Sequence, residues 1–219
     1  MNRTGKAVSW SVWISVALVA ALLALALFLA KLQFTRVVPP AILPVISHVP
    51  AFTLTNQLGQ PVTLENLKGR VWVADIIFTR CAGPCPVMTG KMRELQDALP
   101  TGSSARLITL TTDPETDTPA VLRRYAEKFG ANAERWNFLT GGKKMIANVA
   151  MDGLKLSAVP TKPEERTDAA DLFVHTTIFV IVDKQGQLRG SFQTQGELVD
   201  WAASKAQILA TVKQLESEP

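Results

Sequence analysis

The stretch that decides the fold is residues 71–86, VWVADIIFTRCAGPCP, which joins an apolar run to a pair of cysteines. Residues 71–78 are mostly β-branched, aromatic or small, and this composition predicts a buried strand. After the cysteines, apolar residues recur at helical spacing at Met88, Met92, Leu95 and Leu99. The sequence therefore predicts a strand, a cysteine loop and a helix in that order.

The rest of the chain after Ala51 continues the alternation of strands and helices. A hairpin is predicted over 52–64, strands over 107–111, 136–139, 176–182 and 187–192, and helices over 119–129, 143–151 and 197–215. Thr118 is the predicted N-cap of the helix at 119–129. Alternating elements of this kind favour an α/β sheet covered on both faces. Because one strand opens through a cysteine pair into a helix, we predict a thioredoxin-like fold over 51–219, a central mixed sheet flanked by helices.

The N-terminal part of the chain differs in composition from the rest. Residues 7–30 contain no charged side chain over 24 positions, and a membrane-spanning helix needs roughly 20. The apolar region of a signal peptide is shorter, about 7 to 15 residues. We therefore predict a cytoplasmic tail at 1–6, a transmembrane anchor at 7–30 and a Pro-rich extended stalk at 31–50 that contains a solvated His48. A cleaved signal and a buried core helix are the alternatives.

The net charge of +4 belongs to the flanks of this apolar run. Arg3, Lys6, Lys31 and Arg36 precede Val37 and no acidic residue does, so residues 37–219 hold 19 basic and 19 acidic side chains. This balance gives no support to nucleic-acid binding. The basic residues flanking the run tie under the orientation rule. The short tail and the chemistry below favour a single-pass protein of a bacterial inner membrane, with its domain facing the periplasm.

The two cysteines of the chain, Cys81 and Cys85, stand four residues apart at the entrance to the predicted helix. The positive end of a helix stabilises a thiolate, so we expect a lowered pKa for these thiols. Two thiolates on adjacent turns can converge on one soft ion, Cu(I) or Zn(II), with at least one further ligand. His175 is the candidate for this further ligand, because it directly precedes an apolar strand whose end can lie next to the cysteine loop.

Other interpretations of the cysteine pair stay open. A structural disulfide would close too short a loop to stabilise the fold much, and a metal-free redox pair would have three intervening residues where two are usual. Oxidoreductases of this fold also place a cis-Pro opposite the cysteines, whereas this chain has no Pro between Pro163 and Pro219. Loop or capping roles are expected for Asp113, Asp117 and Asp171, and core roles for Met88, Met92, Trp136 and Phe138.

Four elements together resemble a known family. They are FTRCAGPCP at 78–86, TDPETDTP at 112–119, WNFLTG at 136–141 and His175, and they look like the Sco/SenC copper chaperones. The resemblance implies one N-terminal membrane helix, a thioredoxin-like domain on the outer face, and copper held by Cys81, Cys85 and His175. This sequence departs from the family at two places. Residues 82–84, between the cysteines, include no acidic side chain, and Thr176 stands where Ser is frequent in the family.

The resemblance also implies what the protein does. We expect one copper ion per domain, as Cu(I) and/or Cu(II), delivered to the binuclear copper centre of cytochrome c oxidase subunit II or to another extracytoplasmic acceptor. A thiol reductant partner would keep the cysteines reduced, because a disulfide offers no thiolate to a metal. The alternative is a thiol-disulfide reductase that uses Cys81 and Cys85, with His175 transferring a proton. A thiol peroxidase is a third possibility.

Overall fold

The computed structural model describes residues 10–34, 43–156 and 177–219, and the chain divides into two units, Met1–Ala41 and Ile42–Pro219. The first unit contains helix α1, Trp10–Phe34, whose side chains are described at Trp10 and over 13–28. Within the described residues, no helix is long and apolar enough to cross a membrane. The anchor at 7–30 therefore stays a prediction.

The second unit is built on one mixed sheet, which within the described residues has the strand order β1-β8-β7-β4-β5-β6-β2-β3. Strands β4, β5 and β6 run parallel to one another, and the other pairs are antiparallel. The strands are β1 Ser47–His48, β2 Thr53–Asn56, β3 Pro61–Thr63, β4 Trp72–Ile77, β5 Arg106–Thr111, β6 Trp136–Thr140, β7 Ile178–Val182 and β8 Gln187–Gln193.

Helices cover both faces of this sheet, which confirms the predicted α/β class. They are α2 Leu64–Leu67, α3 Pro84–Ala98, α4 Pro119–Lys128, α5 Lys143–Ala147, which continues as a π-helix over Asn148–Gly153, and α6 Trp201–Ser217. One apolar cluster packs α3, α4 and α6 against the sheet, and a second packs α2, α5 and the π-helix against the opposite face. Met88, Met92, Trp136 and Phe138 all lie fully buried in the first cluster, as predicted.

Capping side chains set where two of the helices begin. Thr118 accepts a hydrogen bond from the Val121 amide at the start of α4, which confirms the predicted cap. Helix α6 begins at Trp201, later than the predicted start at Glu197, because the Asp200 carboxylate accepts hydrogen bonds from the amides of Ala202 and Ala203.

The folded unit begins before the predicted boundary at Ala51. Ser47 and His48 form strand β1 and pair with Leu188 and Gln187 on the edge strand β8, and Val49 is buried. The last residues of the predicted stalk are therefore part of the sheet. The physical reason is that β8 would otherwise present unpaired backbone groups at the edge of the sheet. His48 is exposed, as expected, but it lies in a strand.

A buried ion cluster joins distant parts of the second unit. The Arg189 Nη1 donates to Asp183 Oδ2 at 2.7 Å and to Glu218 Oε2 at 3.0 Å. The Nε and Nη2 of the same guanidinium donate to the carbonyl oxygen of Leu43. Arg189 and Asp183 are both buried, so each charge depends on the other for compensation.

We expect the substitution Arg189→Gln to lower the free energy of unfolding by about 3 kcal/mol, because it leaves Asp183 as an uncompensated buried charge. The control is Arg123→Gln, which breaks an exposed ion pair with Glu127 and should cost less than about 1 kcal/mol. Urea unfolding of both variants measures the difference. Equal losses of unfolding free energy in the two variants would contradict a stabilising role for the buried pair of Arg189 and Asp183.

Candidate metal centre

The two cysteines lie where β4 passes into α3. Cys81 is in the loop between these elements, and Cys85 is in the first turn of α3, which begins at Pro84. A proline fits this first position because its missing N–H would have no partner within the helix. Both cysteines are free thiols with exposed fractions of 5% and 3%. They form a small apolar cluster with Ile77 and Phe78, so the thiols are shielded from water.

For Cys85, burial overturns the prediction that the helix N-terminus lowers the thiol pKa. The pKa of Cys85 is raised, chiefly because burial penalises the thiolate. A hydrogen bond from the Phe78 backbone lowers it in part, whereas the hydrogen bond and charge of Cys81 and the charge of Asp75 raise it further. Cys85 therefore stays protonated until a positive charge compensates the thiolate.

Asp117 fixes the loop that carries Cys81. Its carboxylate is fully buried and accepts hydrogen bonds from the Thr79 amide at 3.1 Å, the Thr79 hydroxyl and the Thr111 hydroxyl. These bonds tie the residues just before Cys81 to the end of β5 and the loop that follows it. Asp117 thus has the expected role in a loop, but its side chain is buried and not solvated, and it caps no helix among the described residues.

A second contact joins the same two loops. Asp113 Oδ2 accepts a hydrogen bond from Arg80 Nη2 at 2.6 Å, and the Asp113 amide donates to the Thr111 hydroxyl. Asp113 is buried while Arg80 is half exposed, so the ion pair lies at the rim of the cysteine cluster. Arg80 directly precedes Cys81, and the pair therefore restrains the loop on the side that faces solvent.

Neighbouring elements hold the first turn of α3 in place. The Thr89 hydroxyl donates to the carbonyl oxygen of Cys85 at 2.9 Å and also contacts the Tyr125 hydroxyl at 3.0 Å. Gln195 Nε2 donates to the carbonyl oxygen of Pro84 at 3.1 Å, and Lys91 Nζ donates to the carbonyl oxygen of Thr194. Helix α4 and the loop after β8 thus fix the position of Cys85.

Asp75 is a residue that reasoning from the sequence did not single out. It lies in the middle of β4, fully buried and directly beside Thr109 of β5. Burial raises its pKa from 3.8 to about 7, and the Thr109 hydroxyl offsets part of this increase without reaching full hydrogen-bond geometry. Within the parts of the chain that the structure describes, neither carboxyl oxygen has a hydrogen-bond partner. The available signal was one acidic residue in an otherwise apolar strand.

The remaining predicted residues of the site cannot be placed in the same way. His175, Asp171 and Thr176 lie outside the described residues. Over residues 10–34, 43–156 and 177–219, no group of three His, Cys, Asp or Glu side chains could hold a metal ion. The structure therefore brings Cys81 and Cys85 together and leaves the third ligand as a prediction.

Comparison with known sequences identifies relatives over most of the second unit. The model of the SCO1/SenC family matches residues 44–210. A SCO1 protein homolog from Bacillus subtilis is 37% identical over 147 residues, which are 66% of this chain and 73% of that protein. A protein of Stutzerimonas stutzeri that is named for copper binding is 31% identical over 151 residues, or 68% of this chain and 71% of the relative.

Solved structures agree with this assignment. BsSco, a member of the Sco family of cytochrome c oxidase assembly proteins in which a disulfide switch was identified, matches with a TM-score of 0.66 and 32% identity over 80% of this chain and 97% of its own. Yeast Sco1 with copper bound matches with a TM-score of 0.60 and 25% identity over 76% of this chain and 89% of its own. These matches confirm the thioredoxin-like fold, and with the family match over residues 44–210 they show that the chain belongs to the SCO1/SenC family.

Proposed function

We propose that this protein is a membrane-anchored copper chaperone that binds one copper ion through Cys81, Cys85 and His175. The observation that carries the proposal is a pair of buried free thiols at the carboxyl end of β4. In this proposal residues 7–30 anchor the chain in a bacterial inner membrane, and the domain faces the periplasm. The acceptor is the binuclear copper centre of cytochrome c oxidase subunit II.

The chemistry of the two thiols fits Cu(I). Cys81 and Cys85 lie in one buried cluster and interact electrostatically, so both sulfurs can reach a single ion. Thiolates are soft ligands that favour Cu(I), and the charge of the ion offsets the cost of ionising the buried Cys85. The thiols must be reduced to bind, so the proposal includes a thiol reductant as a second partner.

The sheet register supports His175 as the third ligand. Strand β7 pairs antiparallel with β4, with Ala74 opposite Val180 and Trp72 opposite Val182. Antiparallel pairing brings the start of β7 toward the end of β4, from which the cysteine loop departs. His175 precedes the first residue of β7, Ile178, by three positions. In this proposal, His175 reaches the cysteines from the start of β7.

Relatives support copper as the cargo, and the loop geometry supports its transfer. The Stutzerimonas stutzeri relative is named for copper binding, and yeast Sco1 has been solved with copper bound. Ala82 and Gly83, between the cysteines, are exposed, so a partner's ligands can approach the ion from this side. Transfer would proceed by exchange of one ligand at a time, with the copper as substrate.

A thiol-disulfide reductase is the second candidate, and one observation favours it. Cys81 and Cys85 are free thiols packed in one cluster, as an attacking and a resolving cysteine would be. The raised pKa of Cys85 opposes a rapid attack by this residue at neutral pH, because the thiolate is the nucleophile. Copper binding therefore accounts better for the burial of the pair.

We expect the reduced full-length chain, loaded anaerobically with Cu(I), to hold one copper ion with two sulfur ligands and one nitrogen ligand. The variant His175→Ala should lose the nitrogen ligand and bind copper more weakly. X-ray absorption at the copper edge and metal stoichiometry measure both quantities. His48→Ala is the matched control, because His48 is the other histidine of the chain and is exposed on β1.

Two results would contradict this assignment. Copper binding at unchanged affinity in His175→Ala would remove His175 from the ligand set. Absence of tight copper binding in the wild-type chain, together with turnover of disulfide substrates, would favour the reductase.

Asp117 should matter for copper through the position of its loop. We expect Asp117→Ala to leave the Thr79 and Thr111 donors without their acceptor and to lower the free energy of unfolding by about 3 kcal/mol. The freed loop should also expose Cys81 and raise its rate of alkylation. Glu115→Ala, at an exposed position of the same loop, is the control for urea unfolding and thiol labelling. Unchanged labelling in Asp117→Ala would show that other contacts position the loop.

A further inference from the structure

Asp75 is a buried carboxyl group that the proposed site uses neither as a ligand nor as a loop contact, and unlike the buried Asp183 it has no cation beside it among the described residues. On β4 it alternates with Val73, which packs in the large cluster with α3, and Ile77, which packs with the cysteines. The Asp75 side chain therefore lies on the sheet face that carries the cysteine cluster. Its two oxygens have no hydrogen-bond partner among the described residues, so the structure gives this charge no compensation there.

The groups around Asp75 come from four elements. From the cysteine loop and α3 they are Cys81 and Cys85, and from α4 the Tyr125 hydroxyl. β5 contributes Thr109 and β7 the apolar Phe179 and Ile181. The charge of Asp75 raises the pKa of both Cys85 and Tyr125. Its field thus reaches the cysteine pair.

A charge count then links Asp75 to the cargo. Cu(I) held by two thiolates and a neutral imidazole carries a net charge of minus one. An ionised Asp75 would place a second negative charge in the same apolar region, where like charges repel strongly. A protonated Asp75 avoids this repulsion. The argument rests on the proposed function, because it needs both thiolates on one copper ion.

We propose that Asp75 is the residue that couples copper occupancy to a proton, being held protonated in the loaded domain and free to ionise in the empty one. When two protonated thiols bind Cu(I), two protons leave sulfur. One of them neutralises the Asp75 carboxylate and the other goes to solvent, so charge and protons balance. Release of copper to an acceptor returns both thiol protons and frees the proton of Asp75.

The coupling has a direction that can be measured. In the empty dithiol form the pKa of Asp75 is about 7, so above this pH copper binding must first protonate the carboxylate. Each pH unit above 7 then weakens binding about tenfold relative to a neutral residue at this position. Below pH 6 the carboxyl is already protonated, and the difference disappears.

The test compares the full-length wild-type chain with Asp75→Asn and with Asp152→Asn, a control at an exposed position. Each reduced protein competes for Cu(I) with a chromophoric Cu(I) chelator between pH 6 and pH 8. At pH 8, Asp75→Asn should bind copper about tenfold more tightly than the wild type. At pH 6 the two should agree, and Asp152→Asn should follow the wild type throughout.

Proton counting separates this role from a merely structural one. Calorimetry in buffers of different protonation enthalpy should show that the wild type releases about one proton fewer per copper at pH 8 than Asp75→Asn does. Infrared difference spectra of the wild type alone should show a protonated carboxyl band that appears on loading at pH 8. This second measurement decides the question even if Asp75→Asn does not fold.

The outcomes distinguish the two proposals. If the wild type takes up no Cu(I), the proposed function fails and this inference fails with it. If the wild type binds Cu(I) through its sulfurs but shows the same pH dependence as Asp75→Asn, or gains no protonated carboxyl band on loading, the coupling is overturned and the chaperone stands.

Discussion

The burial of β4 on both faces is the constraint on which the rest of the structure depends. Trp72, Ala74 and Ile76 face one apolar cluster, and Val73 faces the other. Pairing with β5 along the whole strand, and with β7 over residues 72–74, fixes the register of β4. The carboxyl end of this strand is therefore a fixed point, and the cysteine loop begins from it.

The sequence predicts those parts of the fold that depend on local pattern. The strand at 71–78 and the helix after the cysteines follow from apolar spacing, and Thr118 is a local cap; all three are present. The pairing of β1 with β8 joins residues about 140 positions apart and has no local signal. The hydrogen bonds of Asp117 to Thr79 span 38 positions, so only the folded chain shows that Asp117 holds the cysteine loop.

Electrostatics were harder to predict than geometry, because burial is a property of the whole fold. The position of Cys85 in the first turn of α3 pointed to a low thiol pKa, whereas the surrounding apolar cluster raises it. The same reasoning applies to Asp75. Its pKa rises from 3.8 to about 7 on folding. The folded state therefore has its full stability below pH 3.8, where Asp75 is protonated in both states, and loses part of it as the pH rises through 7. Above that pH the group destabilises the folded state by about 4 kcal/mol.

These two shifts belong to one electrostatic system at the end of β4. The charge of the buried Asp75 carboxyl adds to the burial that raises the pKa of the Cys85 thiol, because two negative charges disfavour each other. A cation at the sulfurs would compensate most of the thiolate charge. The remaining negative charge would repel an ionised Asp75, and protonation of Asp75 would remove that repulsion. Stability alone would favour an apolar residue at position 75, as at the neighbouring positions of the strand. If the cysteines bind copper as proposed, the carboxyl has a role in the loaded site. It would make that site more sensitive to pH than a pair of thiolates in an apolar pocket would be by itself, and it would link the departure of copper to the departure of a proton.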